Sequence, residues 1–211
     1  MLSGAGGREV PQHQVRAHFT EKSVFVFQAF SKEIGTASAK AQRLVSPFQR
    51  GRMTWIKPSF SWMMYRSGWG TKASQQCILR IEVTRSGFEW ALSHACLSTF
   101  IRTKYSDYAS WKSLLGDRPI RIQWDPERTL LLEALPWRTI QIGIGAEATD
   151  MYVDEWLLRI EDFTQPARRV YDAVQARDFA TADRLVPPET PYPMPRSIAM
   201  EIDPVGGPFG H

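Results

Sequence analysis

The chain predicts an α+β fold. It should form a single domain with a mixed, mostly antiparallel sheet, open to being split in two, flanked by helices and bounded by disordered tails. Three observations carry this expectation. Runs of β-branched and aromatic residues of strand length recur through the middle of the chain. Segments with helical spacing or Ala-rich composition stand between them. Hydrophobic residues make up 43% of the 211 and aromatic ones 12%, enough for one sizeable core.

Residues 1–14, rich in Gly and polar groups, read as a disordered leader, 15–190 as the domain, and 191–211 as a Pro/Gly-rich tail. Seven of the fourteen prolines lie in 187–211. Ser23-Val24-Phe25-Val26-Phe27-Gln28-Ala29-Phe30 reads as a buried strand. Ser31 can cap an Ala-rich helix over 32–45, with Glu33 in its first turn and Pro47 beyond its end. A short strand over 52–57 stops at Pro58, and Ser59 to Arg66 then has helical spacing that ends in Ser67-Gly68-Trp69-Gly70. Cys77 to Val83 reads as a third strand and 86–97 as a helix.

Arg121 to Trp124, Thr129 to Leu132 and Thr139 to Ile144 are further strands, the first two separated by a turn at Asp125-Pro126-Glu127-Arg128. A helix over 147–156 followed by a strand over 157–161 competes with one helix over 147–163. Residues 167–186 form the clearest amphipathic helix, with Val170, Val174, Phe179 and Leu185 near one face.

No apolar stretch approaches the roughly 18 residues of a spanning helix, and the first residues do not resemble a signal peptide. A cytoplasmic protein with no membrane partner is the expectation. Cys77 and Cys96 stand far apart without metal-ligand spacing, so both read as buried thiols. Four His, two of them near the ends, give no metal site. Phosphate-loop, dinucleotide, zinc-protease and nucleophile-elbow motifs are all missing.

Residues 1–80 hold twelve Lys/Arg against three Asp/Glu, whereas the remainder holds fourteen against nineteen. A basic first third attracts phosphates if its cations share a face; otherwise it pairs with the acidic remainder.

The most information-dense stretch is 50–69, which mixes cations, hydroxyls and aromatics. Lys57 and Ser59 flank the break where a strand hands over to a helix, whose N-terminal N–H groups suit an anion. With one of Arg50, Arg52 and Arg66 they outline a phosphate pocket, and Trp55, Trp62 or Trp69 can stack a ring. Lys57 also suits a covalent nucleophile, although the segment lacks the glycine of a ligase-type K-x-D-G motif. Gln28 and Gln141 interrupt apolar strands and read either as ligand-facing amides or as structural ones. Asp125 and Glu127 read as turn residues rather than as an acid/base couple.

Val26-Phe27-Gln28-Ala29-Phe30, Met53-Thr54-Trp55-Ile56-Lys57-Pro58-Ser59-Phe60, Trp62 to Trp69, Ile122 to Arg128 and Ile140-Gln141-Ile142-Gly143 together resemble the family catalogued as domain of unknown function 4291, over about residues 15–195. That family supplies no reaction to carry over. Its frequent tyrosines stand here as Phe27 and Phe30. The opening order of strand, Ala-rich helix, strand, helix and strand is also similar to ADP-ribosyltransferase-like folds, which bind NAD in a cleft between two small sheets. Those enzymes place Arg or His on the first core strand and Glu late in the sheet. Gln28 takes the former place here, and Glu133, Glu147 and Glu161 compete for the latter.

The expected function is thus a nucleotide- or nucleic-acid-handling enzyme transferring a nucleotidyl or ADP-ribosyl unit, with NAD or a nucleoside triphosphate as cofactor. Lys57 and Gln28 are its catalytic candidates, and Arg52, Trp55, Ser59 and Arg66 its phosphate-binding ones. The alternative is a non-catalytic RNA- or DNA-binding module that uses a basic, Trp-rich surface.

Overall fold

The structure, a computed structural model, describes residues 10–204. Strand β1 (Arg16–Phe19), which the sequence pattern did not reveal, turns into β2 (Ser23–Phe30), the strand expected there. Ser31 accepts the Ile34 N–H and starts α1 (Lys32–Ala41), which Gln42 ends earlier than expected by adopting φ 54°. Strand β3 (Thr54–Ile56) leads through Pro58 into α2 (Phe60–Ser67), closed by Gly68 at φ 60°. Next come β4 (Cys77–Thr84) and α3 (Arg85–Ser93). The helix expected over 86–97 therefore stops short, and Ala95–Leu97 is strand β5.

After α4 (Tyr108–Asp117), β6 (Ile120–Arg128) and β7 (Ala134–Ile144) form a long hairpin. The turn expected at Asp125–Arg128 is strand instead. The ladder register shifts between Pro126 and Arg128, and such an irregularity accommodates a residue without an N–H. The true turn is the segment expected to be a strand, 129–132: Thr129 Oγ1 accepts the Leu131 and Glu133 N–H groups, and Leu132 takes φ 67°.

Helix α5 (Ala146–Met151) runs into a π-helical turn (Tyr152–Trp156) and then β8 (Leu157–Asp162). The long helix expected over 167–186 is two, α6 (Thr164–Gln175) and α7 (Phe179–Leu185), broken where Arg177 adopts φ 58°. Residues 191–204, expected in the tail, join the fold through β9 (Thr190–Pro191) and α8 (Arg196–Ile202), whose Ile202 is 1% exposed. At the other end, within the expected leader, the Gln12 carbonyl accepts the Arg138 N–H. The rest of both expected tails, 1–9 and 205–211, lies outside the described residues.

The strands make two sheets. The first has the order β8-β4-β2-β1-β9 and is antiparallel throughout; the second is β3-β7-β6-β5, with only the β5–β6 pair parallel. They join where Phe27 and Lys57 exchange both backbone hydrogen bonds, at 2.7 and 3.1 Å. The fold is therefore α+β, with a mostly antiparallel sheet split in two and helices around it.

Alternation along the strands decides the faces. Val24, Val26, Ile81 and Val83 of the first sheet, with Ile56, Ile120, Ile142 and Ile144 of the second, fill one core. Each such side chain contributes about 1.5–3 kcal/mol by leaving water. Phe27 and Ile78, on the opposite face of the first sheet, meet Phe60, Met63 and Met64 of α2 and Val170 and Val174 of α6 in a second cluster. The same alternation sends Gln123, Asp125 and Glu127 of β6, Thr139, Gln141 and Gly143 of β7, and Trp55 of β3 to the outer face of the second sheet. Lys57 continues β3 beside them.

Candidate functional site

Trp55 pairs across the ladder with Gly143. A Cβ on Gly143 would stand 2.9 Å from the Trp55 ring and from Met53 Sδ, so glycine is what lets the indole lie flat across β7. Two residues on, past Ile56, Lys57 is buried at 6% exposure. Its Nζ donates to the Trp55 carbonyl at 3.1 Å and stands 5.5 Å from the centre of the Trp62 ring.

Burial disfavours the ammonium, and the Arg66 charge adds to this, while Asp125 opposes both; the amine is lowered to about 7. Asp125 is held by Gln141, whose Nε2 donates at 2.6 Å. Burial nevertheless raises its carboxyl, against the pull of Gln141, Arg138, Lys57 and Arg128.

Two buried donors of this cluster lack an acceptor. Trp62 Nε1 and Arg128 Nε are buried without a hydrogen-bond partner, two of the three such side-chain nitrogens among the described residues. They belong to one neighbourhood: the Trp62 and Tyr65 rings meet edge to face, and the Arg128 guanidinium stacks 3.6 Å from the Tyr65 centroid. Most buried donors find acceptors, so a cluster that leaves two unpaired beside a buried amine has hydrogen-bonding capacity that the described residues do not use.

The N-terminus of α2, where an anion was expected, already holds carboxyl groups from the protein. Ser59 Oγ accepts the Trp62 N–H at 3.1 Å and donates to Glu127 Oε1 at 2.9 Å, so its hydroxyl is engaged on both sides. The Phe60 N–H donates to Glu189 Oε1 at 2.7 Å. Burial is the main reason that Glu189 is raised to about 8, and the neighbouring Glu127 charge adds to it. Burial also raises Glu127, although the Arg128 N–H, Ser59 and Thr139 favour its charged form.

Gln28 lies on the core side of β2 and is saturated. Its Nε2 donates to Thr54 Oγ1 at 2.7 Å and the Trp55 carbonyl at 3.2 Å, and its Oε1 accepts the Tyr152 hydroxyl at 2.8 Å. It shares the Trp55 carbonyl with Lys57, so it fixes the strand that presents the amine rather than facing a guest itself.

Arg66 is exposed in the last turn of α2 and reaches Lys57 through its field. Arg52 is exposed ahead of β3, and the structure gives it no bond to the cluster. Of the three glutamates considered as late acids, Glu133 sits exposed in the β6–β7 turn, Glu147 is exposed in the first turn of α5, and Glu161 pairs with Arg80. The carboxyls that do reach the site are Asp125, Glu127 and Glu189. Asp125 and Glu127 had been assigned to a turn, and Glu189 carried no signal beyond being a lone acid among prolines.

Arg50 bonds Asp150 and Asp154, and Arg43 also meets Asp154, so part of the basic first third is paired with the acidic remainder. Both cysteines are free and buried. No group of three His, Cys, Asp or Glu suited to a metal occurs among the described residues, and none of their helices is long and apolar enough to cross a membrane.

No curated protein matches the chain. The ADP-ribosyltransferase likeness accordingly gains no support from known proteins. One family profile, described as "Domain of unknown function (DUF4291)", matches residues 14–192, which take in both sheets and every residue of the Lys57 cluster, and the chain belongs to that family.

Proposed function

We propose that the protein is a cytoplasmic nucleotide-handling transferase that seats a phosphate-bearing ligand against Lys57, Trp62 and Arg128 and moves a nucleotidyl or ADP-ribosyl unit. The observation that carries this reading is the pair of unpartnered buried donors, Trp62 Nε1 and Arg128 Nε, in the neighbourhood of an amine lowered to about 7. Phosphate oxygens would satisfy Trp62 Nε1 and Arg128 Nε, and their charge would favour the ammonium form of Lys57. Trp55, laid across Gly143, offers a ring face for a base. Arg66 and Arg52 add positive potential from the rim. Gln28 holds the Trp55 carbonyl and so orients Lys57, while Ser59 fixes the start of α2. Lys57, able to exchange its proton near neutral pH, is the group closest to the chemistry.

The test is titration calorimetry with ATP and with NAD. Lys57→Met should leave the fold intact and weaken the binding of whichever nucleotide the wild type takes by about tenfold or more. Equal dissociation constants for wild type and variant would sink the proposal. Sign and pH follow from the amine. Because an anion binds the ammonium form, binding takes up a proton above pH 7, and affinity should fall as pH rises from 7 to 9, with Lys57→Met losing that dependence. The rival reading, an RNA- or DNA-binding module, is favoured less because Arg43, Arg50 and Arg80 are engaged by acids. It would return if short RNA bound with a steep salt dependence that Lys57→Met left unchanged.

A further inference from the structure

Four strands stand at the edges of the two sheets among the described residues, and three of them are short: β9 has two residues, β3 and β5 three each. The fourth, β8, has six. A strand edge is a row of backbone donors and acceptors that a further strand can pair with, so a long one has to be blocked.

On β8 one side chain does the blocking. The Ile160 N–H donates to Gln42 Oε1 at 3.1 Å, and the Ile160 carbonyl accepts from Gln42 Nε2 at 2.7 Å. Both groups therefore face away from β4, and the Gln42 amide makes the two bonds that a residue of a further strand would make. Its backbone sets it there: Gln42 takes φ 54° at the end of α1, and its Nε2 also donates to the Ala39 carbonyl at 2.7 Å. The edge of the second sheet is covered in a firmer way. The Leu97 N–H of β5 donates to Tyr105 Oη at 3.1 Å and its carbonyl accepts from Trp111 Nε1 at 2.9 Å, from rings that are half-buried and buried. Gln42, by contrast, is an exposed chain with nothing packed over it to hold it in place.

We infer that the free side of β8 is a pairing edge for a second copy of this chain, and that Gln42 holds it closed. The strand is self-complementary about Ile160. Two copies laid antiparallel would set Ile160 against Ile160 as a hydrogen-bonded pair and Arg159 against Glu161 on either side, in the positions where opposed side chains come closest. Arg159 is exposed and the Glu161 side chain is 38% exposed, so both can reach across. An unrelated extended peptide would meet the same backbone groups without these two crossed charge pairs. The register of the β4 ladder shifts towards Leu157, which keeps the straight part of the edge short and the pairing weak. This inference goes beyond the proposed transfer reaction and does not rest on it.

Light scattering on the full chain tests it. Gln42→Gly removes the amide at a φ that glycine adopts without strain. Wild type should remain monomeric up to about 100 µM, whereas Gln42→Gly should dimerise reversibly with a dissociation constant at or below that concentration. Adding Arg159→Ala to Gln42→Gly should weaken the dimer by roughly three- to tenfold, since two charge pairs are lost. Gln42→Asn also tolerates this backbone and is one methylene too short to span both Ile160 groups, so it serves in place of Gln42→Gly if that variant does not fold. Lys57→Met should leave association unchanged, which separates failure here from failure of the nucleotide reading. The inference is overturned if the folded variant stays monomeric at about 100 µM, if wild type dimerises as strongly as the variant, or if Arg159→Ala leaves the dimer unaltered.

Discussion

Two polar clusters meet at the junction of the sheets, and they are built in opposite ways. Gln28, Thr54 and Tyr152 form a closed set, in which every amide group of Gln28 has a partner inside the fold. Lys57, Trp62 and Arg128, joined to that set through the Trp55 carbonyl, leave two buried donors unpaired. A closed network stabilises and aligns strands; an open one costs stability and is kept where a guest completes it. The difference separates strut from site without reference to residue type, since a buried glutamine and a buried lysine look equally anomalous in a strand.

The comparison breaks most visibly at the closed set. Gln28→Leu leaves the Tyr152 and Thr54 hydroxyls buried without their partner and should cost about 2–4 kcal/mol in urea unfolding. A loss within 0.5 kcal/mol, roughly the scatter of a surface change, would mean the set is not a strut.

Glu189→Gln comes next. The raised carboxyl makes a stabilising contribution that is full below its ordinary 4.5 and is lost as pH rises through about 8. The amide keeps the Phe60 hydrogen bond without the charge, so the variant should gain about 1–3 kcal/mol over wild type at pH 8 and nothing at pH 4. Identical pH profiles would show that the carboxyl is not buried against Glu127.

Lys57→Met has the opposite sign. The unfolded chain binds the extra proton between pH 7 and 10.5, so wild-type stability should climb across that window, and the variant should be flat and about 1–2 kcal/mol more stable at pH 7. Stability that fell between pH 7 and 10 in a manner dependent on Lys57 would contradict a desolvated amine. Trp62→Phe is the smallest change. Removing an orphan N–H should leave stability within about 1 kcal/mol while weakening nucleotide binding several-fold, and an unaltered affinity would take Trp62 out of the open set.

Much of this frame is legible in the chain. The Ser23–Phe30 strand, the Ser31 cap, the Pro58 handover and the Gly68 stop depend on neighbours within a few residues, and local chemistry reads them correctly. The helical spacing over Ser59 to Arg66 is matched by α2, which buries Phe60, Met63 and Met64. The errors cluster where tertiary pairing overrides local preference. Asp125-Pro126-Glu127-Arg128 has turn chemistry, yet β7 holds it in a ladder whose bulge absorbs the proline. Ala95–Leu97 looks like the end of a helix until β6 supplies a parallel partner.

The site divides along the same line. Sequence alone singled out Lys57, Trp55 and Ser59 by their place at a strand-to-helix break, and it fixed the helix start that Ser59 caps. Only the folded structure decided that Lys57 would be buried beside Asp125, that Ser59 would be spent on Glu127, and that Glu189, 129 residues beyond Phe60, would fill the helix end. Caps and alternation are set by bonds between neighbours in the chain. Desolvation and the fields that move a proton are set by groups that become neighbours only when the core closes, and no local pattern encodes which those will be.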